Sequence, residues 1–166
     1  MEITYRPAKE NDIDAIGDLV SCAIKNMEDH NIFQWDELYP TREDFLTDIQ
    51  KGELFVGLLT DKIAVIYTLN KECDDKYQDG EWKYPNSEFC VIHRLCVHPK
   101  HQNQGIARST LIYIESVLKE KYIDTIRLDV FSNNPFALKL YGNSGYKKVG
   151  SVNWRKGKFF LMEKHL

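Results

Sequence analysis

No apolar run in this chain approaches the ~20 residues that a membrane-spanning helix needs, and the opening MEITYRPAKEND lacks the hydrophobic stretch of a secretory signal. The four cysteines, Cys22, Cys73, Cys90 and Cys96, show no C-x-x-C spacing. They show no partner His pattern either, and scattered reduced thiols in a cytoplasmic protein are the expectation. There is no excess of basic residues: the net charge is −3. Such a surface exerts no long-range pull on nucleic acid or anionic membrane, so neither partner is expected. Both standard nucleotide loops, G-x-x-x-x-G-K-[ST] and G-x-G-x-x-G, are missing. Internal repeats and low-complexity linkers are missing too. The remaining composition, 43% hydrophobic and 28% charged over 166 residues, suits a single globular domain spanning 1–166.

The pattern of apolar residues organises the chain. Residues 2–6 read as a short strand. A helical stripe of Ile13, Ile16, Leu19, Val20, Ala23, Ile24 and Met27 then follows Asn11 and Asp12. Residues 28–40 form an aromatic, acidic loop, and Thr41-x-x-Asp44 resembles a capping pattern that opens a second helix. Strands are expected at 53–59 and 63–69 around a Thr60-Asp61-Lys62 turn. A polar excursion over 70–86 follows. Phe89–Val97 reads as a central strand, near-continuously apolar apart from His93 and Arg94. A helix over about 107–120, a strand at 125–131, a helix opened by Asn133-Asn134-Pro135 and a hairpin of 146–154 with 158–165 complete the order. This order predicts an α/β chain in which helices pack on a mixed sheet, with a right-handed strand–loop–helix–strand crossover in the middle.

Two segments carry chemistry. In the first, the strand ending Leu95-Cys96-Val97 leads through His98-Pro99-Lys100-His101 to Gln102-Asn103-Gln104-Gly105-Ile106-Ala107-Arg108. A lone glycine at the head of an apolar-faced helix permits close approach of a ligand to main-chain N–H groups. With the helix dipole these suit a diphosphate. Gln102 and Gln104 offer neutral donors, and Lys100 and Arg108 offer charge. The second segment is Asn134-Pro135-Phe136-Ala137-Leu138-Lys139-Leu140-Tyr141, followed by Gly145-Tyr146. Ala137, Leu140 and Tyr141 share one side of a helix. Taken singly, the first segment also reads as an ordinary strand-to-helix connection, and Tyr141 as a packing tyrosine.

Together and in this order, the two segments resemble the GNAT superfamily of acetyl-CoA-dependent N-acetyltransferases. The family's Gln/Arg-x-x-Gly-x-Gly/Ala cofactor pattern is matched by Gln102, Gly105 and Ala107. Its Asn-x-x-Ala-x-x-Leu-Tyr-x-x-x-Gly-Phe pattern is matched by Asn134, Ala137, Leu140, Tyr141 and Gly145, with Tyr146 in place of Phe. The resemblance implies a GNAT-like fold with a six- to seven-stranded mixed sheet, splayed parallel strands and about four helices. It implies acetyl-CoA as co-substrate with no metal. Leu95, Cys96 and Val97 would pair with the pantetheine arm, Gln102 to Arg108 would grip the diphosphate, and Asn134, Ala137 and Tyr141 would line the cofactor further along. The reaction implied is direct attack of a primary amine through a tetrahedral intermediate. An N–H near Val97 would stabilise the oxyanion, and Tyr141 would be the general acid for the departing thiolate.

The base is less constrained. His93 belongs to the residue type that titrates near neutrality, and Glu88 stands at the start of the same strand. Each also reads as structural, a satisfied histidine and a solvated glutamate, and an ordered water chain is a third route. Cys96 reads as packing, and His98 with His101, lacking acidic or thiol companions, is no metal site. Phe33, Trp35 and Tyr39, beside Asp36 and Glu37, are candidates for holding a cationic acceptor, as is the acidic 71–86 excursion. The leading acceptor is a small-molecule amine. A peptide N-terminus or lysine is the alternative, and a non-catalytic acyl-CoA-binding module is the alternative of another class. The chain is expected as a monomer or homodimer, the latter if the apolar Phe159-Phe160-Leu161 strand lies at a sheet edge.

Overall fold

The hydrophobic periods resolve into seven strands and four helices in a computed structural model that describes residues 2–166. The elements are β1 (Thr4–Pro7), α1 (Ile13–Asp29), α2 (Arg42–Gln50), β2 (Leu54–Leu59), β3 (Lys62–Asn70), β4 (Phe89–Val97), α3 (Ile106–Glu120), β5 (Thr125–Phe131), α4 (Pro135–Asn143), β6 (Lys147–Trp154) and β7 (Gly157–His165). The strands run in the order β1-β2-β3-β4-β5-β7-β6. β4 and β5 are parallel, whereas β1–β2, β2–β3, β5–β7 and β6–β7 are antiparallel. This is the mixed α/β class that the element order predicts. β7 lies between β5 and β6, so the Phe159-Phe160-Leu161 run is not at an edge. Its backbone is already paired on both sides, which closes that route to a second copy.

By its contacts the chain divides into two compact units, Met1–Leu69 with Arg94–Ala107, and Asn70–His93 with Arg108–Leu166. β4 begins in the second and ends in the first. In the first unit the α1 stripe buries Ile13, Ile16, Leu19, Val20 and Ala23. These pack with Phe45 of α2, Leu54 and Val56 of β2, Ile66 of β3 and Cys96 of β4. A second cluster joins Leu59, Ala64, Val65 and Ile106 to Ile3, Tyr5, Leu95 and Val97. Thr41 caps α2 as its spacing predicts: its Oγ1 accepts from the Asp44 N–H at 3.2 Å, and the Thr41 N–H donates to Asp44 Oδ2 at 2.7 Å.

In the second unit the polar 70–86 excursion is pinned rather than loose. Arg127 of β5 and Glu163 of β7 form a buried pair at 3.7 Å. The Arg127 guanidinium lies 4.5 Å from the Trp82 ring centroid and 4.1 Å from that of Phe89, and it donates to the Tyr84 carbonyl. Glu163 Oε1 accepts from the Lys83 N–H at 2.7 Å. Tyr77, in a short 3-10 turn of the same excursion, is buried with Val91, Val149, Val152 and Leu161.

Replacing the α2 cap tests the local reading. Thr41→Ala leaves the Asp44 N–H without its side-chain acceptor and should cost about 1 kcal/mol in urea unfolding, with an unchanged m-value.

Candidate active site

The first candidate segment is built by the end of β4 and the head of α3. After Val97 the His98 N–H donates to the Ala64 carbonyl at 2.8 Å, which ties the exit of β4 to β3. His98 then caps the Pro99–His101 turn, with its Nδ1 accepting from the Lys100 N–H at 3.1 Å. Burial, followed by the charges of His101 and Lys100, holds the His98 imidazole below its usual pKa. The loop next twists through two left-handed residues, Asn103 at φ 59° and Gly105 at φ 79°. Asparagine and glycine are the residues that tolerate this region at least cost. Both expected side-chain donors are turned back on the loop itself. Gln102 Nε2 donates to the Val97 carbonyl and Gln104 Nε2 to the Lys100 carbonyl, each at 3.2 Å. They stiffen the turn. Gly105 is exposed, and a Cβ built on it would meet nothing within 4 Å. Ile106, its neighbour, is buried, and Ala107 is half-buried. Arg108 and Lys100 are exposed on either side of the turn. A glycine offering open space at the head of a helix, with cations nearby, fits a diphosphate.

Within β4 the extended backbone is interrupted. Arg94 has φ 52°, a left-handed backbone inside a strand. Leu95 and Val97 then face one cluster of the first unit while Cys96 faces the other. Arg94 is held there by its side chain. Its Nη2 pairs with Asp48 Oδ2 of α2, and its Nη1 donates to the Tyr39 hydroxyl at 2.8 Å. Asp48 Oδ2 also accepts from Thr68 Oγ1 at 2.9 Å. The Arg94 and Asp48 side chains are only 12% and 10% exposed. Of the residues expected to meet an acceptor, Tyr39 thus belongs to this network and remains 40% exposed, and Phe33 is 53% exposed. Trp35 is a core residue, 8% exposed among Phe45 and Val56, because its large apolar surface is better placed out of water. Cys96 is buried, and burial pushes its thiol up to about 12. It stays a protonated packing group.

The second segment is α4. Asn134 is its cap, with Oδ1 accepting from the Ala137 N–H at 3.1 Å, and Pro135 takes the first helical position. Ala137 and Leu140 are half-buried, and Tyr141 is buried. The Tyr141 ring meets that of Tyr146 edge-on at 5.5 Å. Burial, followed by the charge of Asp129, raises the Tyr141 phenol well above its ordinary range.

The two base candidates differ in setting. His93 is half-buried, and its Nε2 lies 2.8 Å from Asn70 Oδ1 and 3.0 Å from the Glu72 carbonyl. Both partners accept, so Nε2 carries the proton. Glu88 precedes β4 and is exposed, paired with Lys71 at 2.6 Å. The Lys71 ammonium draws its carboxyl below the usual range. Among the described residues no cluster of three His, Cys, Asp or Glu is placed to hold a metal. Sequence reasoning passed over Asp48, Asp129 and Tyr77, and it noted Arg94 only as an interruption of an apolar strand. The one signal was that a charged residue inside such a strand needs a buried partner.

A sequence model of the Acetyltransferase (GNAT) family matches residues 23–146. The chain belongs to that family of acetyltransferases. It is similar to the uncharacterized N-acetyltransferase YesJ of Bacillus subtilis, with 24% identity over 87% of this chain and 82% of that protein. A GNAT-family acetyltransferase from Streptococcus agalactiae superposes with a TM-score of 0.86 at 21% identity, covering 99% of this chain and 95% of that one. The PaiA N-acetyltransferase of Thermoplasma acidophilum, solved in complex with coenzyme A, superposes with a TM-score of 0.75 at 17% identity over the whole of both chains.

The Arg94–Asp48 pair supplies a test of what shapes β4. Asp48→Ala strands a buried guanidinium and should destabilise the protein by about 3–5 kcal/mol. Asp48→Leu combined with Arg94→Met should recover most of that loss. Chemical denaturation of the three proteins measures both effects.

Proposed function

We propose that this chain is an N-acetyltransferase that acetylates the primary amine of a small molecule at the expense of acetyl-CoA. The observation that carries this reading is the turn at Gly105, left-handed and open in front, at the head of a 15-residue helix. Acetyl-CoA, when bound, supplies an acetyl group activated as a thioester. The main chain from Gln102 to Arg108 grips the diphosphate, and Lys100 and Arg108 add charge at the rim. The backbones of Leu95, Cys96 and Val97 pair with the pantetheine arm as an added strand would, and the Val97 N–H polarises the acetyl carbonyl. Asn134 and Ala137, at the first turn of α4, are cofactor-binding residues in this reading.

Tyr141 is the proton donor to the leaving sulfur. Its raised pKa keeps the phenol protonated throughout the neutral range, which is the state a general acid needs before it acts. His93 takes the proton of the acceptor amine. Its Nε2 is committed to Asn70 and Glu72, which fixes the ring in one tautomer. Glu88, held ionised and exposed by Lys71, is the weaker candidate. No helix among the described residues is long and apolar enough to cross a membrane. The location proposed for the enzyme is the cytoplasm, where four thiols without a disulfide spacing stay reduced.

Tyr141→Phe should lower kcat about 100-fold while calorimetry finds the acetyl-CoA Kd unchanged. An unaltered kcat would remove Tyr141 as the acid. Gly105→Glu, which places bulk and negative charge in the anion site, should abolish acetyl-CoA binding. Gly105→Ala, which strains the backbone without adding charge, should weaken it far less. Micromolar affinity surviving in the glutamate variant would refute the loop assignment.

A further inference from the structure

The face of the second unit that carries the 70–86 excursion holds a carboxylate that no motif of the sequence singles out. β4 and β5 pair over Phe89, Cys90 and Val91 with Thr125, Ile126 and Arg127. Both strands run on beyond that ladder, β4 to Val97 and β5 to Phe131. Side chains alternate along a strand, so His93 shares the face of Val91, and Asp129 and Phe131 share the face of Arg127. Val91 and Arg127 are themselves partners in the ladder. His93 and Asp129 therefore stand on one face, each two residues beyond the last paired rung. It is the face that the excursion covers. Tyr77 packs there with Val91 and Leu161, and Leu161 is the cross-strand partner of Asp129 on β7.

We propose that Asp129, oriented by Tyr77, is the acceptor-binding residue of this enzyme and receives the cationic amine of an acceptor whose remainder is apolar or aromatic. The proposal rests on the acetyltransferase reading above. Three observations carry it. The Tyr77 hydroxyl donates to Asp129 Oδ2 at 2.7 Å, which holds the carboxylate in one orientation from a ring that is itself only 3% exposed. Asp129 is half-buried on a strand whose other residues are buried, a position where a carboxylate is retained at a desolvation cost. Beside it on the same face runs a row of rings. Phe131 and Phe159 are cross-strand partners with centroids 5.1 Å apart, and Trp154 meets Phe159 edge-on at 5.0 Å. A fixed anion next to aromatic faces is the arrangement that recognises an ammonium on an apolar stem. Burial first, and then the charge of Asp129, raise the pKa of Tyr141, so the Asp129 carboxylate lies within electrostatic reach of the proposed acid. The same negative charge disfavours acceptors that carry a carboxylate beside the amine.

The test uses 2-phenylethylamine and glycylglycine as probes, with the full-length protein. Each amine is titrated calorimetrically into protein saturated with coenzyme A, and KM and kcat are measured by thiol release from acetyl-CoA. The wild type should bind 2-phenylethylamine and prefer it to glycylglycine. Asp129→Asn should raise its Kd and KM by about 10- to 100-fold, the range for loss of a charge-assisted hydrogen bond, with acetyl-CoA affinity retained. Tyr77→Phe deletes only the orienting hydroxyl and should raise both constants less, by about 3- to 10-fold. It keeps the test decisive should Asp129→Asn fail to fold. Failure of the wild type to bind 2-phenylethylamine overturns the inference. So does a folded Asp129→Asn, or in its place Tyr77→Phe, with unchanged constants. If instead the wild type binds no acetyl-CoA, the acetyltransferase reading fails, and that outcome is separate from either of these.

Discussion

The pairing of Arg94 with Asp48 holds β4 in a shape that its own backbone preferences oppose. A left-handed non-glycine residue inside a strand costs on the order of 1–3 kcal/mol and persists only where its surroundings fix it. Here the surroundings are an aspartate of α2 and a tyrosine of the 28–40 loop, both meeting one guanidinium, with the aspartate itself held by a threonine hydroxyl of β3. The result is a left-handed interruption within one strand. Before Arg94, β4 is laddered to β5 and presents Val91 to the Tyr77 cluster. After it, Leu95 and Val97 enter one cluster of the first unit, and Cys96 enters another. The stretch assigned to the pantetheine arm is this second half of the strand.

The second unit solves a related problem with a second buried pair. Arg127 and Glu163 are desolvated together, and they meet the Tyr84 carbonyl, the Lys83 N–H and the Trp82 ring of the 70–86 excursion as well as the Phe89 ring of β4. Removing two charges from water gains little stability in itself. Its effect is to specify where a polar, otherwise loosely determined segment lies. That segment delivers Tyr77 to Asp129 and the Asn70 and Glu72 acceptors to His93. An excursion that composition alone reads as solvated loop thus carries the orienting partners of two titratable groups.

The proposed anion site and the proposed proton donor draw on opposite uses of solvent. At the head of α3 the glycine is exposed, the glutamine amides are turned inward onto the loop, and the cations stand at the rim. A highly charged diphosphate suits such a place because it can enter without stripping every water at once. Tyr141, in contrast, is buried against Tyr146, and the loss of water keeps its proton on.

The chain by itself determined whatever depends on neighbours in sequence. The span of β4 and β5, the Thr41 box, the Asn134 cap with Pro135, and the glycine opening α3 all follow from periodicity, backbone sterics and local hydrogen bonding, and they appear where the residues place them. The two motif segments were legible for the same reason, since each is a short run whose geometry is local. The tertiary structure alone decided that Trp35 is core, that β7 is interior, and that Gln102 and Gln104 turn back on their own loop. It alone joined Arg94 to Asp48 and Tyr77 to Asp129, across 46 and 52 positions of sequence. Pairs of that kind leave no periodic trace, because a buried charge is stabilised by whichever distant partner the fold brings to it, and a single sequence does not encode that distance.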